Sequence, residues 1–448
     1  MQLLHVRYRK LERKLGCPSQ VLLIMAARNT YLRSVLTLLG GSALAQVLPL
    51  ALTPLLTRWY PPEAFGALAL LLAVVNPLSL FASGRYELTV PLPKEDGPAQ
   101  ALVRVGLVIA LITSVLMGMI TQVASGPLVH WAKDERVGEV LVFVPLLLLG
   151  MALFQPLNHW LIRRSAFRSM SVNKVVQMAV ITLASLVFGG LGVAQGLMIG
   201  YVMGWGVNVV MVFIQARSHG FQLRPVDLAG MQREATRYRN FPMYNAFPAV
   251  VHTAALSIPV FLLSAIAGTE TTGQFNLSRQ VVFMPSTFIA VAFAQVYMQR
   301  AAQAVVSGTR VMPELKATLR ILSVVAATLA AVLIIAGPGL FAWAFGAHWE
   351  EAGHYARILA IPIAVQFVVI PLTVVMPALG RIRTYSLWQV GYFLLVLGLC
   401  AVPFRSVEYY LWALAGVETA CYTLLLFIIL RATSAHDSLT TTAHDRAH

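Results

Sequence analysis

The chain has 448 residues, of which 58% are hydrophobic and only 11% charged, and its mean hydropathy is +0.74. No soluble globular domain hides that much apolar surface, so a water-soluble enzyme or binding module is excluded. The formal net charge of +15 would suggest nucleic acid in a soluble protein. Here the cations are spread over alternate short loops, which reads as membrane topology facing an anionic leaflet, with no nucleic-acid partner.

In chain order, residues 1–28 are basic and polar apart from the short apolar run Val21 to Ala27. That run is too short to cross a bilayer and lacks a signal-peptide layout, so the segment reads as a cytoplasmic extension, with Met25 an alternative start. About twelve apolar stretches follow, each near the ~20 residues that cross ~30 Å of hydrocarbon. They begin near Ser34, Ala64, Leu102, Glu139, Val172, Ala194, Phe241, Thr272, Leu319, Ala352, Tyr385 and Val407. Of 33 Lys and Arg, four fall in outer gaps (Arg58, Lys133, Arg136, Arg405), two within spans (Arg279, Arg357) and the remainder on the other side. By the positive-inside rule both termini are cytoplasmic.

The longest internal gap on that side, 217–240, carries five Arg and one Pro and divides six spans from six. The expected organisation is an all-α integral membrane protein with lobes at 29–216 and 241–431 joined by this connector. A polar tail at 432–448 reads as disordered. Phe65-Gly66-Ala67-Leu68-Ala69-Leu70 with Pro77 downstream is echoed by Gly273-Gln274-Phe275-Asn276-Leu277 with Pro285 downstream. These segments open spans two and eight, the pattern of a parallel repeat about an axis along the membrane normal.

Outer gaps stay within roughly fifteen residues, and there are no paired carboxylates at metal-ligand spacing, no Gly-rich phosphate loop with a Lys and no HExxH, so enzyme is the weaker hypothesis and no cofactor is implied. The three cysteines, Cys17, Cys400 and Cys421, lie far apart and suggest neither disulfide nor metal site.

Proline falls inside several spans (Pro49, Pro54, Pro77, Pro248, Pro259, Pro285, Pro362, Pro371), where it removes a backbone hydrogen bond and kinks or shapes the helix. Gly196, Gly200 and Gly204 form a ridge for close helix packing. Nearby Tyr201, Trp205, Asn208 and Gln215 share one stripe, either facing a polar cavity or forming an interhelical hydrogen-bonding seam.

Charges at bilayer depth carry more information, because each costs about 2.5–3.5 kcal/mol on insertion scales. Arg85 and Glu87 stand at the inner end of span two, Arg279 about two turns into span eight, and Glu418 near the middle of span twelve. On a helix Arg85 and Glu87 would point about 200° apart, so they need separate partners unless the helix has already ended. Arg279 shares a face with Asn276 and Phe283, an arrangement suited to a diphosphate or sugar, or equally to a structural ion pair. In span seven Asn245 and His252 are aligned, with Tyr244 close by; His252 reads as a packing residue. Glu418 is a candidate coupling-ion site, with an interhelical salt bridge or a protonated carboxyl as alternatives.

Several segments resemble one known family, the lipid-linked oligosaccharide flippases, also called polysaccharide biosynthesis or O-antigen transporters, within the multidrug/oligosaccharidyl-lipid/polysaccharide exporter superfamily. They are Gly41-Ser42 with Gln46, Pro54-Leu55-Leu56-Thr57-Arg58-Trp59-Tyr60, Phe65-Gly66, Gly84-Arg85-Tyr86-Glu87 with Leu92-Pro93, and Asn158-His159-Trp160 with Arg163-Arg164 and Phe167-Arg168. In the second half they are Gly273, Leu277, Arg279, Pro285, Ala294-Gln295-Val296 and Gln299-Arg300. The resemblance covers Asn29 to Arg431.

It implies a V-shaped pair of six-helix lobes with alternating access in the bacterial inner membrane. The implied cargo is an oligosaccharide joined through pyrophosphate to undecaprenol, handed on to polymerase or ligase machinery. Arg85 and Arg279 are the implied cationic ligands, Gln46, Asn276 and Gln295 polar lining, and Glu87 and Glu418 possible coupling-ion residues. The competing readings are a drug or cation antiporter of the same superfamily, a membrane-embedded glycosyltransferase or polymerase, and a scaffold for envelope synthesis.

Overall fold

The computed structural model describes residues 45–132, 136–223, 227–307 and 311–445, without the side chains at 128, 130–132, 240–249, 284–307, 377–378 and 439–445. The basic extension, the start of span one at Ser34, the Gly41-Ser42 motif and Lys133 lie outside the described residues.

The described chain is helical throughout its long elements: α1 (45–59), α2 (Pro62–Ser79), α3 (Asp96–Ala132), α4 (Arg136–Arg163), α5 (Phe167–Gly190) and α6 (Gly196–Ser218), followed by the short connector helix α7 (Leu228–Arg237). The second half holds α8 (Asn240–Ser307), α9 (Met312–Phe345), α10 (Glu350–Val369), the one-turn α11 (Val375–Ala378), α12 (Ile382–Gly398) and α13 (Val407–Asp445). In hydrocarbon every backbone N–H and C=O must be satisfied within its own segment, and helices do this.

Ten stretches of the described residues are long and apolar enough to cross a membrane. One of them, Val250–Phe283, contains the break at Gly268, whose φ of 81° and ψ of −178° divide α8 into two limbs. Counting those limbs separately and adding α1 recovers twelve spans. Most prolines are absorbed without a break: Pro77 lies inside α2, Pro145 and Pro156 inside α4, Pro338 inside α9 and Pro362 inside α10. Pro371 falls where α10 tightens into a 3₁₀ turn, Ile370–Val374.

The two halves repeat one packing plan. α4 packs on α2, α3 and α6, and α10 packs on α8, α9 and α13. Accordingly 61% of the apolar window is buried in α2 and in the α10 stretch, against 11% in the peripheral α9. The plan breaks at one place: α5 lies along α6, whereas its counterpart α12 packs chiefly on α8. Trp388 and Tyr392 stack on one another within α12 (5.7 Å, 3°), and the His252 ring of α8 lies 6.4 and 6.2 Å from them.

The lobes meet where α2 and the second limb of α8 begin. A Cβ on Gly66 would lie 1.9 Å from the Thr269 carbonyl oxygen, and one on Gly273 would lie 1.8 Å from that of Pro62. The contact is reciprocal, since Pro62 precedes Gly66 as Thr269 precedes Gly273, and it brings together the two segments whose sequences echo each other. Trp349, fully buried, sets its ring edge on Phe65 (5.0 Å, 81°) and donates from Nε1 to the Thr57 carbonyl (3.2 Å). Arg136 bonds Thr269 Oγ1 (3.3 Å) and lies 3.9 Å from Glu63.

Within the first lobe the glycine ridge of α6 is consumed by packing. Added Cβ atoms would meet Tyr60 Oη at 2.0 Å from Gly196, Ser185 Oγ at 2.3 Å from Gly200 and Ile181 Cγ1 at 2.2 Å from Gly204. The polar stripe beside it is an interhelical seam: Gln215 and Asn173 exchange two amide hydrogen bonds (2.7 and 2.8 Å), and Trp205 packs on Phe154.

The tail departs from expectation. α13 continues past Arg431, and the Asp437 carboxylate accepts from the Val311 and Met312 amides (2.9 Å each), the otherwise orphaned donors at the start of α9. This capping supplies the tertiary anchor that composition did not reveal.

Two outcomes follow. Asp437→Ala lowers stability by about 0.5–2 kcal/mol, the range for losing an N-terminal cap, read by thermal unfolding of the purified protein. Gly66→Leu forces the lobes apart at their seam, so cysteines placed at Glu63 and Glu270, which line one surface cleft there, lose the cross-link that they form with Gly66 in place.

Candidate functional site: two arginine–carboxylate pairs

Past Ser79 the chain leaves the helix. Gly84 (φ 66°) and Arg85 (φ 57°) are consecutive left-handed residues, after which Tyr86–Thr89 winds into a 3₁₀ turn. The helical geometry that would have set Arg85 and Glu87 on opposite faces therefore does not apply. Arg85 Nη1 stands 3.9 Å from Glu87 Oε1, an ion pair longer than a hydrogen bond, and Ser83 donates to Glu87 Oε2 (2.7 Å). Arg85 Nε is buried with no hydrogen-bond partner among the described residues. Such an orphaned charged donor is costly and ready for an anionic acceptor. A non-glycine residue held left-handed also stores strain of order 1–3 kcal/mol, a feature concentrated at functional sites.

This loop is tied to the connector. Tyr86 Oη donates to the Ala235 carbonyl of α7 (3.1 Å), and Tyr86, Ile109 and Ala235 pack around Ala101, Val105 and Met231. At the same end Arg163 and Arg164 both bond Asp96 (3.1 and 2.6 Å), and Arg164 also bonds the His219 carbonyl (3.1 Å) and covers the Trp160 ring. These arginines fasten the α2–α3 loop and the end of α6.

The second pair sits deep in the other lobe. Arg279 Nη1 bonds Glu418 Oε1 (3.0 Å); the guanidinium is 15% exposed and the carboxylate wholly buried. Gln366 donates to Glu418 Oε2 (2.9 Å) and Tyr392 Oη to Oε1 (3.3 Å). Phe275 and Phe283 flank the guanidinium carbon at 5.6 and 5.7 Å, so cation–π attraction holds the cation from both sides. Of the alternatives for Glu418, the interhelical salt bridge is the one present. Asn276, Arg279 and Phe283 are each partly accessible and form a stripe at helical spacing along α8, and among the described residues Glu418 is the one acceptor that the Arg279 guanidinium bonds.

No contact among the described residues joins the two arginines: Arg85 lies on the loop after α2 and Arg279 on α8. Gln46, on the described part of α1, joins neither pair. Gln295, Asn245 and Tyr244 lie outside the described side chains. His252 packs its ring near Trp388 (6.4 Å) and Tyr392 (6.2 Å). Gln366 and Tyr392, both essential to the Glu418 shell, went unnoticed in the sequence, where a glutamine and a tyrosine in apolar spans carry no spacing signal.

The sequence profile of a family described as polysaccharide biosynthesis protein matches residues 55–354. The chain belongs to that family. No curated protein matches it. An inward-facing multidrug resistance MATE family transporter of the MOP superfamily superposes with a TM-score of 0.65 at 12% identity, over 90% of this chain and 95% of that one. An outward-facing MATE family transporter gives 0.58 at 13% identity, over 91% and 96%. A MOP superfamily transporter from Pyrococcus furiosus, described as having a binding pocket of reverse polarity, gives 0.57 at 13%, over 91% and 96%. The family's fold here is thus the twelve-helix, two-lobe transporter fold.

Removing one member of the deep pair leaves a buried charge. Glu418→Ala destabilises by about 3–5 kcal/mol, while the apolar double replacement Arg279→Met with Glu418→Leu recovers most of that loss, because a buried pair contributes little net stability. Unfolding of the three proteins in the same detergent checks both.

Proposed function

We propose that this protein is a flippase that moves an undecaprenyl-pyrophosphate-linked oligosaccharide from the cytoplasmic to the periplasmic leaflet of the bacterial inner membrane, for surface polysaccharide biosynthesis. In this reading the arginine-rich end, both termini and the connector 217–240 face the cytoplasm, and the lobes are 29–216 and 241–431. The observation that carries it is Arg279, a cation at bilayer depth that is partly accessible and bonds one acceptor, Glu418, among the described residues.

Sugars and pyrophosphate do not cross hydrocarbon unaided, because desolvating their charge there is prohibitive. A protein carrying them must offer fixed cations along a wet path. The unsatisfied Arg85, beside the cytoplasmic ends of α2 and α3, is placed to meet the pyrophosphate first, and Arg279 to hold it deeper, while the polyprenyl tail stays in lipid. Asn276 adds an amide on the same face of α8 for sugar hydroxyls, and Gln46 and Gln295 are proposed as further lining. Closure of the lobes at Gly66 and Gly273, on the opposite side from Arg85, supports an inward-open state ready to load.

A drug antiporter of the same superfamily would need an available acid for a cationic cargo. Glu418 is already neutralised by Arg279, and Glu87 is committed to Ser83 and Arg85. The reverse pocket polarity described for the Pyrococcus furiosus relative is a precedent for such a change of cargo within this fold. Downstream polymerase or ligase machinery is the proposed partner.

The test is a deletion strain complemented in turn by the wild type, Arg85→Ala and Arg279→Ala. Deletion removes surface polysaccharide and accumulates its lipid-linked unit on the inner leaflet. Arg85→Ala inserts normally, and Arg279→Ala, which strands the buried Glu418, is scored at matched membrane abundance; both leave the deletion phenotype, and full export by both overturns the proposal.

A further inference from the structure

A cleft of about 430 Å³ opens between α3 and α6. Both helices pack along α4 and scarcely touch each other, so the gap between them has a floor, Leu157 of α4, and two apolar walls, Val108 and Leu111 on one side and Val210 and Phe213 on the other. Val108, Leu111 and Val210 are 45%, 49% and 58% exposed, which shows that the cleft opens sideways from the helix bundle. At bilayer depth the neighbour on that side is a lipid.

The arginine-rich end of the cleft is closed by the connector, through Leu223 and Met231. That closure leaves space for a hydrocarbon chain and none for a transmembrane helix, whose diameter is about 10–12 Å. Arg104 stands at this closed end. Its Nε and Nη2 bond the Gln222 carbonyl of the connector (3.2 and 2.7 Å), and Nη2 also bonds Gln100 Oε1 (3.3 Å). Nη1 makes no hydrogen bond among the described residues and is left for an anion. Arg104 lies about two turns along α3 from Asp96, and Val108 and Leu111 follow at about one and two turns more. A cation at the polar end of an apolar channel matches one ligand: a phosphate with a chain hanging below it.

We propose that the α3–α6 cleft is a binding site for one anionic phospholipid of the cytoplasmic leaflet, with an acyl chain between Val108 and Val210 and its phosphate on Arg104. The lipid then bridges α3, α6 and the connector, and helps to hold α7 against the first lobe. This site is independent of the cargo: it requires the membrane orientation but neither Arg85 nor Arg279.

The full-length protein in detergent is supplied with equal amounts of phosphatidylglycerol and phosphatidylcholine, and retained lipids are counted by native mass spectrometry. The wild type keeps one phosphatidylglycerol in preference to phosphatidylcholine. Val210→Trp, which fills the cleft from an exposed position, loses the retained lipid. Arg104→Gln keeps a lipid but with the preference reduced to parity. Elution volume and melting temperature confirm that each variant is folded, and either variant alone suffices for the test. Equal retention of the two lipids by the wild type, or undiminished phosphatidylglycerol retention in the folded variants, overturns the proposal. Undecaprenyl phosphate displacing phosphatidylglycerol from the wild type overturns the assignment to a phospholipid. Loss of export in the Arg85 and Arg279 variants bears on the flippase reading and leaves this result untouched.

Discussion

The close approach of α2 and α8 at Gly66 and Gly273 is the constraint on which the two-lobe arrangement rests. Each glycine faces the other helix's backbone at a distance that admits no side chain. Hydrophobic attraction does not drive helices together in lipid, so contact depends on van der Waals packing and on small residues that let backbones meet. Around this point gather Trp349, Phe65, Thr57, Arg136 and Thr269. A seam of this kind ties the two lobes together at the start of α2 and of the second limb of α8.

The same economy governs the charges. Arg279 and Glu418 are tolerated at depth because they pair with each other, Gln366 and Tyr392 donate to the carboxylate and two phenyl rings flank the guanidinium. Arg85 is handled differently. Its backbone is held left-handed, its carboxylate partner stands beyond hydrogen-bond distance, and its Nε is orphaned. One arginine thus meets its carboxylate at hydrogen-bond distance and the other does not. The two pairs belong to different lobes, one on the loop after α2 and one between α8 and α13.

The connector links these features. Its helix α7 is capped by Asp227, which accepts from the Gly230 amide (2.9 Å), and it lies on α3 beside the Arg85 loop through Tyr86. It also closes the α3–α6 cleft. A segment that reads as a mere basic linker is therefore packed against the first lobe, and the same few residues touch the Arg85 loop and the cleft.

Apolar stretches of about twenty residues with cations in alternate gaps determined the class, the number of spans and the repeat without any structure, because hydrocarbon thickness and backbone satisfaction leave the chain few options. The echo between Phe65-Gly66 and Gly273 marked the segments that meet. Only tertiary structure decided the partners. Helical spacing separated Arg85 from Glu87, yet the turn at Gly84 joined them; the polar tail looked featureless until Asp437 met the start of α9; and no pattern linked Arg279 to Glu418, Gln366 and Tyr392. Periodicity reports how one helix presents its faces. Which faces meet depends on helices distant in sequence, and that information is carried by the packing of the whole bundle.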